Sequence, residues 1–236
     1  MNGTELAARM SYITNFLHFC GPTESNREFL RYIEGEKNEE DVRGRLKRFE
    51  GLYPYLSAIA NKHGKDFLDH DVVEAYWFGN KLLDSFTDED MKGIIEKLVA
   101  RGLPKSIGQS LILGLKPGLA PHHNFNVFYV GVGRVTGSVE TTLTNMDNCR
   151  TSYGSVIEIL GGNKMLVKTT TLRKEKGRIT LLDDNKVIAY LPEMLPSVKK
   201  RDLVALHWGF APAIITEGQA KAIDAYTERV LSLAGV

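Results

Sequence analysis

Residues 153–172 read Tyr-Gly-Ser-Val-Ile-Glu-Ile-Leu-Gly-Gly-Asn-Lys-Met-Leu-Val-Lys-Thr-Thr-Thr-Leu. Apolar and β-branched residues fill the stretch on both sides of Gly161-Gly162-Asn163, and that trio supplies residues able to take the positive φ angles of a tight turn. The pattern predicts two antiparallel strands, over 155–160 and 164–172. Two more are expected over 186–191 and 202–208. Thr216, with Gln219 three residues on, has the spacing of a capping box and opens a final helix. Along it Ala220, Ile223, Tyr226, Val230 and Leu231 give one apolar face for packing on the sheet.

Upstream the apolar period is helical rather than alternating. Leu6, Met10, Ile13 and Leu17 mark a helix that stops before Gly21-Pro22; Thr23 and Glu24 begin the next, which carries Phe29, Leu30 and Ile33 and ends at Gly35. A third runs through Ile59 to Gly64, and Thr87 with Asp90 starts another that reaches Val99. Tyr76, Trp77 and Phe78 read as core. A short helix is expected over 107–115, and 127–135 (Val-Phe-Tyr-Val-Gly-Val-Gly-Arg-Val) as a bent strand. The fold class expected is therefore α+β: an α-helical domain over 1–125, then a small β-barrel with a C-terminal helix over 126–236.

The chain has 236 residues and is 43% hydrophobic, enough for a sizeable core. Thirty Lys and Arg nearly cancel 29 Asp and Glu, so no global field favours nucleic acid or an anionic membrane. No apolar run approaches the roughly 20 residues of a membrane span. The opening Met1-Asn2-Gly3-Thr4-Glu5 lacks the basic and apolar parts of a signal peptide. A cytoplasmic protein without a membrane partner is expected, and its two cysteines, Cys20 and Cys149, are expected as thiols. No phosphate loop, dinucleotide fingerprint or nucleophile elbow is present.

The most specific strings are Cys149-Arg-Thr-Ser-Tyr-Gly154-Ser-Val-Ile-Glu-Ile159 and Asp202-Leu-Val-Ala-Leu-His207-Trp-Gly209-Phe210-Ala211. In order and spacing they resemble the HypC/HupF family of small hydrogenase-maturation chaperones, over about 148–233. The resemblance implies an oligonucleotide-fold-like (OB-like) barrel that carries iron, bearing cyanide and carbonyl ligands, on one cysteine. Cys149 would then be the iron ligand with His207 beside it, and the motif glycines Gly154 and Gly209 would flank the cargo. It also implies two partners, a hydrogenase large-subunit precursor and a HypD-like maturation scaffold. Here the cysteine is internal, whereas the small chaperones begin with it. Phe49-Glu-Gly-Leu-Tyr-Pro-Tyr-Leu56 and Val72-Val-Glu-Ala-Tyr-Trp-Phe-Gly-Asn80 extend a second resemblance over the whole chain, to an uncharacterised family associated with nickel–iron hydrogenase gene clusters.

The chemistry is reasonable on the residues alone, because a thiolate is a soft, strongly donating ligand for low-valent iron. A carrier must also release its cargo, which favours one or two protein ligands over a closed set of four. Two alternatives stay open. One is an iron- or zinc-dependent enzyme whose metal lies in the helical domain, on Cys20, His122 or His123, with Cys149 joining if the domains meet. Adjacent histidines on an extended segment face opposite ways, so only one of His122 and His123 suits a given metal. The other is a single-stranded nucleic-acid binder using Lys164, Lys168, Arg173, Lys174, Lys176 and Arg178.

Overall fold

The computed structural model describes residues 1–36 and 38–234. Seven helices come first: α1 (Gly3–Phe16), α2 (Ser25–Ile33), α3 (Glu39–Leu46), α4 (Tyr53–His63), α5 (His70–Trp77), α6 (Asp88–Val99) and α7 (Lys105–Leu113). Their ends follow the chemistry expected of them. Gly64 closes α4 at φ 62°, and Thr87 and Asp90 exchange the two hydrogen bonds of a capping box at the start of α6. A turn of 3-10 helix, Lys81–Ser85, links α5 to α6.

The segment 127–135 corrects the sequence-based expectation. Instead of a strand it forms a short helix, α8 (His123–Phe125), that runs on into a π-helical stretch, Asn126–Gly131. Its Val and Phe residues are buried on nearly every side, and a fully buried apolar run carries no periodicity to separate helix from strand. α9 (Leu143–Cys149) then leads into the sheet.

Five antiparallel strands follow, β1 (Ser152–Leu160), β2 (Lys164–Glu175), β3 (Arg178–Ala189), β4 (Leu203–Leu206) and β5 (Ile214–Ile215), in the order β3-β2-β1-β4-β5. The β1–β2 turn has Gly162 and Asn163 at positive φ, as a tight hairpin requires. The α+β class thus holds, but the sheet is not closed: β3 and β5 form opposite edges, and no barrel is formed by the described residues. One isolated bridge, Ala189 to Phe210, carries the end of β3 back toward the β4–β5 connection. α10 (Glu217–Ala234) packs on β1 and the π-helical stretch, opened by the expected Thr216–Gln219 capping box.

Buried side chains from both parts of the chain share one cluster, which includes Met10 of α1, Ile95 of α6, Phe125 of α8, Leu172 of β2, Ala205 of β4 and Ile223 of α10. A smaller cluster, with Val156, Met165, Ile188 and Phe210, is covered by Tyr12, Ile13, Leu30 and Ile33 of α1 and α2. Helix α1 is therefore buried along both clusters. Asn124 fixes the joint between helices and sheet. Its side chain donates to the Thr151 carbonyl at 3.0 Å and to Thr227 Oγ1 at 2.8 Å, and accepts from the Thr151 N–H at 2.8 Å. Among the described residues no helix is long and apolar enough to cross a membrane.

Candidate metal centre

Three distant positions meet where α8, α9 and the end of β4 converge. Cys149 Sγ lies 3.9 Å from His123 Nε2 and 4.0 Å from His207 Nε2. All three side chains are buried, and their ligand atoms lie within 4.8 Å of one another. A tetrahedral ion with metal–sulfur and metal–nitrogen bonds of about 2.3 and 2.0 Å sets its ligands about 3.5 Å apart. The two sulfur–nitrogen separations are thus within about half an ångström of a coordination shell.

Hydrogen bonding fixes what each ring can offer. His207 Nδ1 lies 3.0 Å from the Met10 carbonyl. A carbonyl only accepts, so Nδ1 carries the proton and Nε2 presents its lone pair to the sulfur. This is the arrangement by which a backbone carbonyl orients a metal-ligating histidine. His123 is held differently. Its Nε2–H donates to the Cys149 carbonyl at 2.8 Å, leaving Nδ1 to accept from the Tyr76 hydroxyl at 3.0 Å. That hydroxyl also lies 2.8 Å from the Gly51 carbonyl, so the two acceptors compete for one proton. His207 thus turns a lone pair toward the Cys149 sulfur, which must first lose its proton to ligate a metal, whereas His123 could ligate through Nε2 only by moving its proton to Nδ1.

Burial decides the charge of the cluster. Desolvation pushes the Cys149 thiol up to about 12, against a smaller opposing pull from the Trp208 indole. It pushes His207 down to about 4, and His123 well below its ordinary value with the His207 ring adding to the effect. Without metal, all three groups are neutral at pH 7.

The turn after β4 places His207. Trp208 and Gly209 both have positive φ, 51° and 68°, and His207 and Phe210 exchange backbone hydrogen bonds of 3.0 and 3.1 Å across them. Positive φ at both central positions is the type I′ hairpin geometry, in which a bulky aromatic is rare. Trp208 N–H donates to the Asn148 carbonyl at 2.6 Å, which ties this turn to the residue before Cys149. The Trp77 ring stands over His123 at 4.4 Å and meets His207 at 5.2 Å between centroids. Trp77 was not legible as a site residue, since an aromatic at helical spacing reads as core, and Trp208 was quoted only within the string that carries His207.

The remaining sequence candidates separate cleanly. Cys20 lies outside the three-residue cluster but lines the same cavity; it is partly buried, with Sγ 3.8 Å from Glu50 Oε2, and desolvation pushes its thiol up to about 12. His122 faces away, stacked on Tyr226 with ring centroids 5.3 Å apart, and burial pushes it down to about 3. Its Nδ1 caps α8 by accepting from the Asn124 N–H. Gly154 lies in β1, where an added Cβ would sit 2.9 Å from Val167 Cβ, so its smallness permits close strand packing. Of the basic residues on β2 and β3, Lys168 pairs with Asp183 at 3.1 Å, and the one aromatic on the five strands, Tyr153, is bonded to Asp224. His70, Asp71 and Glu74 form a second acidic and imidazole group on the surface, with Glu74 engaged by Asn80 and Gln219.

A family model matches residues 1–235 and describes a family of unknown function, DUF6390. The chain belongs to that family. No curated protein and no solved structure matches it. The chemistry of this DUF6390 chain must therefore be argued from the centre itself.

The cavity beside the centre is also lined by Phe19 and by residues of the 131–139 segment, among them exposed Thr136 and Ser138, and its free space, open solvent included, is ≈ 590 Å³. Cys149 is 8% exposed. The sulfur is covered, but by imidazoles and a cavity rather than by sealed hydrocarbon.

Proposed function

We propose that this protein is a metal carrier that holds a transition metal on the Cys149 thiolate and His207 Nε2, with His123 as a third ligand of variable engagement. The single observation that supports this most is the Met10 carbonyl, which fixes the His207 tautomer so that a free imidazole lone pair faces a buried thiol. One sulfur and one or two nitrogens make an incomplete set for any common ion, which suits uptake and release better than permanent retention.

The cargo we infer is iron, delivered as a cyanide- and carbonyl-bearing fragment during nickel–iron hydrogenase maturation in the cytoplasm. The resemblance of the Cys149 and His207 strings to the HypC/HupF chaperones supports it, and the bridge from Ala189 to Phe210 is what a HypC-like barrel would extend to close its sheet. The partners in this reading are a large-subunit precursor and a HypD-like scaffold.

The test is to purify the full chain with its maturation partners and record infrared spectra in the cyanide and carbonyl region. Bands that vanish in Cys149→Ala are expected; bands unchanged in that variant would overturn the assignment. A second reading, an iron or zinc enzyme, draws on the same observation, because three ligands beside a cavity also describe a catalytic metal site. Its metal would bridge both parts of the chain rather than lie within the helical part, and would persist at one equivalent through chelator treatment.

A further inference from the structure

Three short contacts run through the buried pair Tyr76 and His123: Nε2 to the Cys149 carbonyl at 2.8 Å, Nδ1 to the Tyr76 hydroxyl at 3.0 Å, and that hydroxyl to the Gly51 carbonyl at 2.8 Å. Each needs a positive centre between its two electronegative atoms. A neutral ring and a phenol bring only two protons, so one contact is always left with lone pairs opposed. With the ring proton on Nε2, the hydroxyl serves either Nδ1 or Gly51 and fails the other. With it on Nδ1, both of those are satisfied and Nε2 faces the Cys149 carbonyl bare. A third proton does not mend this, because burial holds His123 well below its ordinary value.

A metal at Nε2 does mend it. It takes the place of a proton at the contact that the Nδ1–H tautomer leaves open, and Cys149 Sγ and His207 Nε2 border the same spot. Nδ1–H then donates to the Tyr76 oxygen and the Tyr76 hydroxyl donates to Gly51, so every group in the relay has a partner. The ring is pinned as well. Trp77 lies against it at 4.4 Å between centroids, and the Tyr76 and His207 rings meet it edge-on at 5.4 and 5.1 Å. A pinned ring changes what its Nε2 offers by exchanging tautomer, not by turning over.

Resting on the metal-carrier reading, we propose that Tyr76 is a positioning residue for the centre: its hydroxyl, relayed to the Gly51 carbonyl, draws the His123 proton from Nε2 to Nδ1 and so makes His123 a metal ligand. The ring stays neutral throughout. One proton leaves Nε2 for solvent and another arrives at Nδ1, so the Cys149 thiol proton is the only net release. The centre then has a loose form on Cys149 and His207 and a tighter form that adds His123, and the Tyr76 hydroxyl sets the gap between them.

The experiment loads the isotope-labelled full chain with Zn(II), reads the histidine tautomers by long-range nitrogen–proton NMR correlation, and measures zinc affinity by chelator competition. Metal-free wild type should carry the His123 proton on Nε2, and zinc should move it to Nδ1 while His207 keeps its proton on Nδ1 in both states. Tyr76→Phe, which keeps the ring, should leave the His123 proton on Nε2 and weaken zinc by about ten- to a hundredfold, the range for loss of an orienting partner. In a His123→Ala background the same change should cost no more than about twofold, since nothing is left for the hydroxyl to orient. The wild-type tautomer is itself a test, independent of whether Tyr76→Phe folds. Zinc-loaded wild type that keeps the His123 proton on Nε2, wild-type affinity in Tyr76→Phe, or an equal loss from Tyr76→Phe in both backgrounds overturns this inference and leaves a carrier on Cys149 and His207 intact. Wild type that takes up no zinc overturns both.

Discussion

Cys149 carries the functional argument because its thiol must lose a proton to hold a metal, and burial has made that loss hard. With the thiol near 12 and His207 neutral above about 4, uptake between pH 6 and 9 releases one proton, so metal affinity should rise about tenfold per pH unit across that window. Chelator competition with Co(II) at three pH values measures the slope, and a slope near zero would exclude the thiolate. The chain's two tryptophans both line the cavity, so Co(II) should quench most of the indole emission in wild type and little of it in Cys149→Ser or His207→Ala. Cys149 and His207 were legible as candidates because each sits in a string with fixed spacing. Their convergence with His123 was left open, since nothing in a single sequence places residue 123 beside residues 149 and 207. The tryptophans stayed hidden because their polar atom is one N–H on a large apolar ring.

Helix ends and the first hairpin were readable because local chemistry decides them. Gly35 and Gly64 end helices at positive φ, Thr87 and Thr216 cap them, and Gly162-Asn163 turns β1 into β2. The 127–135 segment was not readable, since burial on all sides removes periodicity. Strand β3 also runs from Arg178 to Ala189, far longer than its apolar stretch, because exposed Asp183 and Asp184 pair across from Thr170 and Thr169 of β2. The joint between α8, β1 and α10 depends on one side chain that the sequence did not flag. Asn124→Ala would leave the buried Thr151 N–H and carbonyl without their partner, at about 1–3 kcal/mol for each orphaned group. For a chain of this size about 3 kcal/mol lowers the melting temperature by roughly 6–12 °C, readable by calorimetry on the metal-free protein. A drop below about 2 °C would show that Asn124 is not the joint. Such a variant should lose metal affinity as well, because Thr151 lies two residues from Cys149.

Burying three histidines in one fold sets the acid limit of the metal-free molecule. Desolvation lowers His122 to about 3, His207 to about 4, and His123 well below its ordinary value. Each folded value lies below the unfolded one of about 6.5, so the unfolded chain binds more protons as pH falls. The stabilisation is fully present above pH 6.5 and is lost as pH falls toward the folded values. With three such groups, stability should drop by about 4 kcal/mol per pH unit near pH 5. Against a typical total of about 5–15 kcal/mol, a loss of this size removes much of the stability by about pH 4. Asp147 acts lower. Burial opposes its charge, but Lys186, Arg150 and Thr171 outweigh that and hold its carboxyl below the usual range. Its contribution is thus lost only below pH 4, after the histidines have taken effect. Urea midpoints between pH 7 and 4.5 test the order. His122→Asn keeps a capping side chain at the start of α8 while removing one titrating ring, and should cut the slope by about a third, whereas Asp147→Asn should leave the slope above pH 4.5 unchanged. A slope untouched by His122→Asn would mean that ring is not buried neutral, and the packing of α8 against Tyr226 would have to be redrawn.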